Sequence, residues 1–255
     1  MLLIAPTRDD RSFSDQASPA EIHRPLTATE WQRLLDEFSH DLRTSLLVAG
    51  EYSRLLQDGC HGARDDERYE SLEAVGDRLE EIQFLFDALL SIARLETERT
   101  TPATGTCPLH DVLDRVSRRL ARHAAVLHVP FQHAALASAP TIRTDPRAVE
   151  LILLALGRFA LQRSRGSRPV TLRAVANRGT QRIELGVVYS GTPPEARHLA
   201  GLRDQLRVAD PDDRGALNID LGLACELSRR AGGQFTASRR ATATELSLCL
   251  STATD

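Results

Sequence analysis

The sequence predicts an α+β protein in which a long antiparallel helical hairpin is followed by an α/β sandwich. Over residues 27–100, apolar residues recur at alternating steps of four and three, the spacing of helices that pack side by side. From residue 109 onward, helical segments alternate with short strand-like runs bounded by turn residues. The chain has 255 residues, 42% of them hydrophobic and 26% charged, which is typical of a globular protein.

The first helix is predicted to begin at residue 27 and to run to about residue 58. Thr27 and Glu30 have the spacing of a capping box, and Leu26 and Trp31 can form a hydrophobic staple around it. Residues 1–26 mix Ser, Asp, Pro and Arg without periodicity, which predicts a flexible tail. The apolar seam of this helix comprises Trp31, Leu35, Phe38, Leu42, Ser45, Ala49, Tyr52 and Leu56.

A second helix is predicted from about residue 66 to residue 98, after a Gly-containing break at 59–62. Its seam comprises Leu72, Val75, Leu79, Ile82, Phe86, Leu89 and Ala93. Further aliphatic residues widen both apolar stripes, namely Leu34, Leu46, Leu55, Leu85 and Leu90. A widened stripe suits a four-helix bundle, so we expect two hairpins to pair in a homodimer.

Residues 101–108 are predicted to be a linker, and residues 109–255 a second domain. Within that domain we expect helices at 109–126, 146–163 and 219–231. Asp145 followed by Pro146 is a typical helix start, and the pair Gly232 and Gly233 is a typical stop. Strands are expected at 126–132, 139–144, 170–176, 182–188, 234–238 and 244–250.

Composition excludes several function classes. All 32 basic residues are Arg and the formal net charge is -3, so neither lysine chemistry nor nucleic-acid binding is expected. The four cysteines lack metal-ligand spacing, and no histidine is paired with suitable ligands, so we assign no metal. The start is not typical of a signal peptide, and the longest aliphatic run, 151–156, is too short to span a membrane. We therefore expect a cytoplasmic protein.

The most informative local motif is Phe38-Ser39-His40-Asp41-Leu42-Arg43-Thr44-Ser45-Leu46. His40 falls opposite the apolar seam, so its imidazole is predicted to be in solvent and not in the core. Thr44 lies one turn later on the same face, and Asp41 can hydrogen-bond a ring nitrogen of His40. An exposed and oriented imidazole is a competent nucleophile toward a phosphoryl group, although spacing alone is also compatible with an ordinary surface histidine.

This motif resembles the H-box of the sensor histidine kinases, and the order and lengths of the segments resemble that family's core. The resemblance implies a dimerisation and phosphoacceptor hairpin over 27–100 and an ATP-binding domain of the Bergerat type beyond it. It implies that His40 is the phosphoacceptor, that Asp41 assists proton removal, and that Thr44 positions water for dephosphorylation of a response regulator. Ser45 departs from the family's usual Pro, and its presence predicts a straighter helix past His40.

The three nucleotide motifs of that family are degenerate in this sequence. Ala155 and Phe159 stand where the family has two Asn, and a phenyl ring has no lone pair for Mg²⁺. Tyr189 stands where an Asp normally recognises adenine. In the third motif only Gly222 is retained, and Asp220 places negative charge where phosphates would lie. We therefore expect the fold to persist without ATP and Mg²⁺ as cofactors.

These observations predict phosphoryl signalling through His40 to or from receiver-domain aspartates, without ATP-dependent autophosphorylation. In that role the chain resembles stand-alone histidine phosphotransferases that carry a degenerate kinase domain. Two alternatives stay open. One is an active sensor histidine kinase with divergent motifs, which would use ATP and Mg²⁺, and the other is a non-catalytic partner of a true kinase or of a regulator.

Overall fold

A computed structural model describes residues 26–57, 65–97, 106–134, 141–165, 168–177, 181–208, 218–240 and 243–251. Apart from Leu26, the tail predicted for residues 1–26 lies outside these ranges, as does the break predicted at 59–62. Throughout these ranges, no helix has the combination of length and apolar character that crossing a bilayer requires.

Two long helices form the predicted hairpin, α1 (Ala28–Gln57) and α2 (Asp65–Thr97). The capping box at the start of α1 is confirmed. The backbone N–H of Thr27 donates to Glu30 Oε2 at 2.6 Å, and the backbone N–H of Glu30 donates to Thr27 Oγ1 at 3.2 Å. Because Ser45 keeps its backbone N–H, unlike a proline, α1 continues as an unbroken α-helix past His40.

The predicted seams of the hairpin are only partly correct. On α1, Phe38 and Ala49 are buried as expected, whereas Leu35 is exposed and its neighbour Leu34 is fully buried. On α2, the residues buried in the chain are Phe84, Leu85, Ala88 and Ile92. Heptad spacing specifies how often apolar residues recur along a helix. Which of those residues become buried depends on where the neighbouring domain packs. The seam residues Leu72, Leu79 and Phe86 are instead exposed in the single chain.

The remainder of the chain is a mixed α/β unit. Its helices are α3 (Leu109–Val126), α4 (Pro146–Arg163), α5 (Leu202–Val208) and α6 (Ile219–Arg230), with a 3-10 turn at Ala196–Leu199. Its strands are β1 (Thr106–Cys107), β2 (Phe131–Ala134), β3 (Ile142–Arg143), β4 (Val170–Asn177), β5 (Arg182–Tyr189), β6 (Gln234–Arg240) and β7 (Ala243–Ser251).

Three local expectations for this unit are corrected. The strand predicted at 126–132 begins only at Phe131, because α3 extends to Val126 and ends in a turn in which His128 has a positive φ of 52°. The strand predicted at 139–144 is reduced to Ile142–Arg143 among the described residues. Its partner β1 lies within the stretch 101–108 that was expected to be a linker. Helix α5 was not anticipated.

Five strands form one sheet in the order β2-β4-β5-β7-β6. Strands β2 and β4 are parallel, and the other neighbouring pairs are antiparallel. Helices α3, α4 and α6 pack side by side, and each of them also contacts the sheet, so the unit is a two-layer sandwich. Helix α4 is central: it contacts both other helices as well as β4 and β5.

The hairpin packs against this sandwich through several elements. Helix α2 contacts α3 and α4, and α1 contacts α5. The Arg33 guanidinium on α1 donates to the backbone oxygen of Leu206 at 2.9 Å, and Arg122 on α3 pairs with Glu80 on α2. Apolar residues of both hairpin helices join the hydrophobic cluster that continues into the sandwich. The two parts therefore share one continuous core.

Candidate functional site

His40 lies on the solvent face of α1, with 64% of its side chain exposed. Its ring Nδ1 lies 3.3 Å from Asp41 Oδ1. An ionised carboxylate can only accept a hydrogen bond, so this contact selects the tautomer that carries its proton on Nδ1. The Nε2 lone pair is then the nucleophilic position, and it belongs to an imidazole that is both exposed and oriented.

Thr44 lies one helical turn after His40 and is also exposed. Its hydroxyl donates to the backbone oxygen of His40 at 3.0 Å. This hydrogen bond fixes the hydroxyl on the same face as the imidazole and leaves its oxygen able to accept from water. The three residues predicted from the H-box motif, His40, Asp41 and Thr44, therefore lie on consecutive turns of one continuous helix.

Two of the degenerate nucleotide-motif residues fill the interior of the sandwich. Phe159 and Tyr189 are each only 1% exposed, and their rings meet edge to face with centroids 6.3 Å apart. The Tyr189 hydroxyl donates to the backbone oxygen of Thr192 at 3.0 Å, and the Arg163 guanidinium lies over the Phe159 ring at 5.1 Å. Burial raises the pKa of Tyr189 to about 12, so the phenol stays neutral.

The start of α6, where phosphates would approach in the resembling family, is occupied by protein groups. The side chain of Asn218 caps the helix by accepting from the backbone N–H of Leu221 at 2.9 Å. The backbone N–H of Asn218 in turn donates to Gln205 Oε1 at 2.8 Å. These contacts satisfy amides that a helix N-terminus would otherwise offer to an anion.

The retained Gly222 has a packing role in this arrangement. A Cβ at this position would come within 3.0 Å of both the Leu202 backbone and the Gln205 side-chain amide. The absence of a side chain thus lets α6 approach α5 closely.

Asp220, the second residue of α6, is largely buried, with 13% of its side chain exposed, and it faces Arg158 of α4, with Oδ1 3.6 Å from the guanidinium Nε. Burial raises the pKa of Asp220, and the nearby Arg158 acts in the opposite direction. Burial would by itself lower the pKa of Arg158, but Asp220 and Glu81 keep it protonated and raise the pKa instead. Asp220 therefore pairs with a cation of the protein itself.

Together these positions do not fit a nucleotide carrying Mg²⁺. The position expected to ligate the metal is a buried phenyl ring, and the position expected to recognise adenine is a buried phenol bonded to the backbone. The acid at the phosphate position would repel phosphates and already has a guanidinium partner. In the parts of the chain that the structure describes, no group of three His, Cys, Asp or Glu is arranged to hold a metal ion.

The structure also shows a partly buried polar cluster that sequence reasoning missed. Glu81 on α2 accepts from Arg158 Nη2 through Oε1 at 3.0 Å, and through Oε2 from Arg78 at 2.7 Å and from Ser45 Oγ at 3.0 Å. The Arg158 guanidinium also lies 4.6 Å from the Phe84 ring centroid. The sequence does contain one indication of this cluster, because the charged Arg158 interrupts the apolar run from Leu151 to Leu161 in α4.

No protein-family model matches the sequence, and no curated protein matches it significantly. Among solved structures, the chain is similar to the Acinetobacter baumannii histidine kinase AdeS, with 15% identity and a TM-score of 0.51 over 84% of this chain and 98% of that one. It is similar to a bacterial phosphotransferase, with 13% identity and a TM-score of 0.52 over 89% of this chain and 98% of that one.

A third similar structure is the histidine kinase ThkA in complex with the response regulator protein TrrA. The identity is 12% and the TM-score is 0.51, over 84% of this chain and 60% of that one. At these identities the similarity establishes the fold. The chain has the fold of a histidine-kinase core, with a helical hairpin followed by a domain of the ATP-binding type, and the fold class predicted from the sequence is confirmed.

Proposed function

We propose that this protein carries phosphoryl groups in two-component signalling, accepting them from and passing them to aspartates of receiver domains through His40. The observation that carries the proposal is the exposed His40 imidazole, held by Asp41 on the solvent face of the hairpin. The similarity to a phosphotransferase and to a kinase bound to a response regulator supports a receiver domain as the partner.

In the accepting direction, the Nε2 lone pair of His40 attacks the phosphorus of an aspartyl phosphate. A nitrogen–phosphorus bond forms, the bond between phosphorus and the aspartate oxygen breaks, and the receiver's carboxylate leaves with that electron pair. The imidazole gains a positive charge, and its Nδ1 proton points at Asp41. Asp41 stabilises this charge and accepts the proton as it leaves, and transfer onward to a receiver reverses each step.

Thr44 is assigned a separate role in the same site. Its hydroxyl donates to the backbone oxygen of His40 and keeps lone pairs that can accept from water. From that position it would hold a water for dephosphorylation of the partner. His40, Asp41 and Thr44 thus constitute the proposed catalytic residues.

We further propose that the phosphoryl group does not come from ATP. The support is that Phe159, Tyr189 and Asp220 all use their side chains in contacts within the protein. Titration with Mg²⁺ and ATP should accordingly show no saturable binding at micromolar concentrations. A micromolar dissociation constant would favour the alternative of an active histidine kinase.

Replacing His40 tests the central claim. The His40→Ala variant should fold with a stability within about 0.5 kcal/mol of wild type, because the side chain is exposed. It should lose all acid-labile labelling when mixed with a purified receiver domain that has been phosphorylated with acetyl phosphate. His110→Ala, which removes a still more exposed histidine from α3, is the control and should label normally. Labelling that persists without His40 would assign the acceptor elsewhere.

The exposed apolar face of the hairpin supports a homodimer. Four large residues of α2 are each more than half exposed in the single chain and share one face, namely Leu72, Leu79, Phe86 and Leu90. On α1, Leu35 and Leu46 are also exposed. We call this set the apolar stripe of the hairpin. Pairing two stripes would complete a four-helix bundle and remove this apolar surface from water.

A charge placed in the apolar stripe should therefore separate the two chains without unfolding them. Leu79→Asp should give a folded monomer, because Leu79 is 55% exposed in the chain but would lie between chains in the bundle. Light scattering at tens of micromolar should report the change from dimer to monomer. Leu47→Asp, at an exposed leucine outside the stripe, should remain dimeric. A monomeric wild type would contradict the proposal.

A further inference from the structure

The hairpin and the sandwich are joined by a short chain of largely buried charges. Glu81 on α2, Arg158 on α4 and Asp220 on α6 have side chains that are 16%, 12% and 13% exposed. Arg158 donates to Glu81 at 3.0 Å and lies 3.6 Å from Asp220. One guanidinium thus contacts a carboxylate from each of the two parts of the molecule.

This arrangement depends on the planar, forked shape of the guanidinium. Nη2 of Arg158 donates to Glu81 of the hairpin while Nε lies beside Asp220 at the start of α6, and the central carbon of the guanidinium lies over the Phe84 ring of α2. Removing charges from water is unfavourable unless each is paired, so these groups favour the docked arrangement in which all three meet. Hairpin movement away from the sandwich would leave Arg158 and Glu81 without this contact.

The same cluster reaches the helix that carries His40. Glu81 uses its second carboxylate oxygen to accept from Ser45, which lies five residues after His40 on the unbroken helix α1. Ser45 is itself buried. It stands where the resembling family usually has a proline, a residue that has no backbone N–H to donate. The contacts therefore run from α6 through Arg158 and Glu81 to the α1 segment that follows the phosphoacceptor.

We propose that Arg158 is a positioning residue that locks the hairpin onto the sandwich and so holds the His40 face of α1 in the arrangement that receives a receiver domain. This inference rests on the proposed phosphotransfer through His40. Arg158, which also lies beside Asp220, thereby links the start of α6 to Glu81 of the hairpin through charged contacts within the protein. Arg158 acts through Glu81 and Ser45 and does not touch the phosphoryl group.

The experiment uses Arg158→Met in the full chain, with Arg163→Met as the matched control. Both arginines belong to α4, and each guanidinium lies over a phenylalanine ring, that of Phe84 on α2 for Arg158 and that of Phe159 on α4 for Arg163. Of these two arginines, only Arg158 bridges to the hairpin among the described contacts. Two rates are measured on each protein. The first is labelling of His40 by phosphoramidate, a small donor that needs no docking surface, and the second is transfer from a receiver domain phosphorylated with acetyl phosphate.

Arg158→Met should leave phosphoramidate labelling within about twofold of wild type, while transfer from the receiver should fall about tenfold or more through a higher KM. Hydrogen exchange of the α1 amides around Ser45 should become faster, and Arg158→Lys should recover part of the transfer. Wild-type transfer and exchange in a folded Arg158→Met protein would overturn the inference, as would an equal loss in Arg163→Met.

If Arg158→Met does not fold, Ser45→Ala takes its place, because it cuts the link to α1 without leaving a buried charge unpaired. Ser45→Ala should likewise keep phosphoramidate labelling close to wild type while transfer from the receiver falls. Unchanged transfer would overturn the inference. If wild-type protein accepts no phosphoryl group from any receiver, the proposed function fails and the positioning role fails with it. The exchange measurement then still decides whether Arg158 couples the sandwich to α1.

Discussion

Replacing Phe159 by Ala will lower the free energy of unfolding by about 3–5 kcal/mol, the range for a buried phenylalanine. The ring is almost entirely buried and makes an edge-to-face contact with Tyr189. Its removal leaves a void between α4 and the sheet, and the surrounding side chains lose dispersion contacts that they cannot recover by small shifts. Chemical denaturation monitored by circular dichroism measures the change.

Leu47→Ala is a suitable control, because that leucine is 61% exposed and its loss should change stability by no more than about 0.5 kcal/mol. Phe159→Asn sharpens the test. It restores the amide expected in an intact nucleotide motif, yet it should also destabilise the protein and should not confer ATP binding, since Tyr189 and Asp220 remain. A stability loss below about 1 kcal/mol for Phe159→Ala would mean that the ring does not fill an interior space.

Acidification from pH 6.5 to pH 4 will lower the free energy of unfolding by up to about 3 kcal/mol through His123 alone. This residue of α3 lines a small cavity between the hairpin and the sandwich, beside Glu81 and Arg158. Burial lowers the pKa of His123 from 6.5 to about 4, and the positive charges of Arg158 and Arg78 add to this effect, while Glu81 opposes it.

The sign of this pH dependence follows from the number of protons that the folded and unfolded states bind. In the unfolded chain His123 takes up a proton as the pH falls through 6.5, whereas in the folded protein it stays neutral until about pH 4. The unfolded state therefore binds more protons in this window, and stability is present above pH 6.5 and is lost as the pH falls toward 4. Urea titrations at several pH values measure the slope.

His123→Gln should remove this part of the pH dependence, and the difference between the two slopes isolates the contribution of this one group. His110→Gln is the matched control, because it replaces an exposed histidine of the same helix. Parallel slopes for wild type and His123→Gln would show that His123 is not held neutral by its surroundings.

Much of the candidate site was determined by local sequence. The capping box at Thr27 sets the start of α1, and the spacing from the apolar seam places His40 on the opposite side of the helix. Asp41 and Thr44 follow in the same turn and the next, so their contacts with His40 need no other part of the chain. The departures from the nucleotide motifs of the resembling family were likewise evident in the sequence, because they concern which side chains are present.

Tertiary structure decided what these local patterns leave undetermined. Heptad spacing does not say whether Leu34 or Leu35 faces inward, because the sandwich docks on one flank of the hairpin and leaves another flank to the apolar stripe. The strand Thr106–Cys107 exists only because Ile142–Arg143 supplies its hydrogen-bond partners. Arg158 and Glu81 lie 77 residues apart in the sequence, and only the folded chain brings them together. Contacts between distant residues depend on the packing of whole elements, which periodicity and local propensity do not specify.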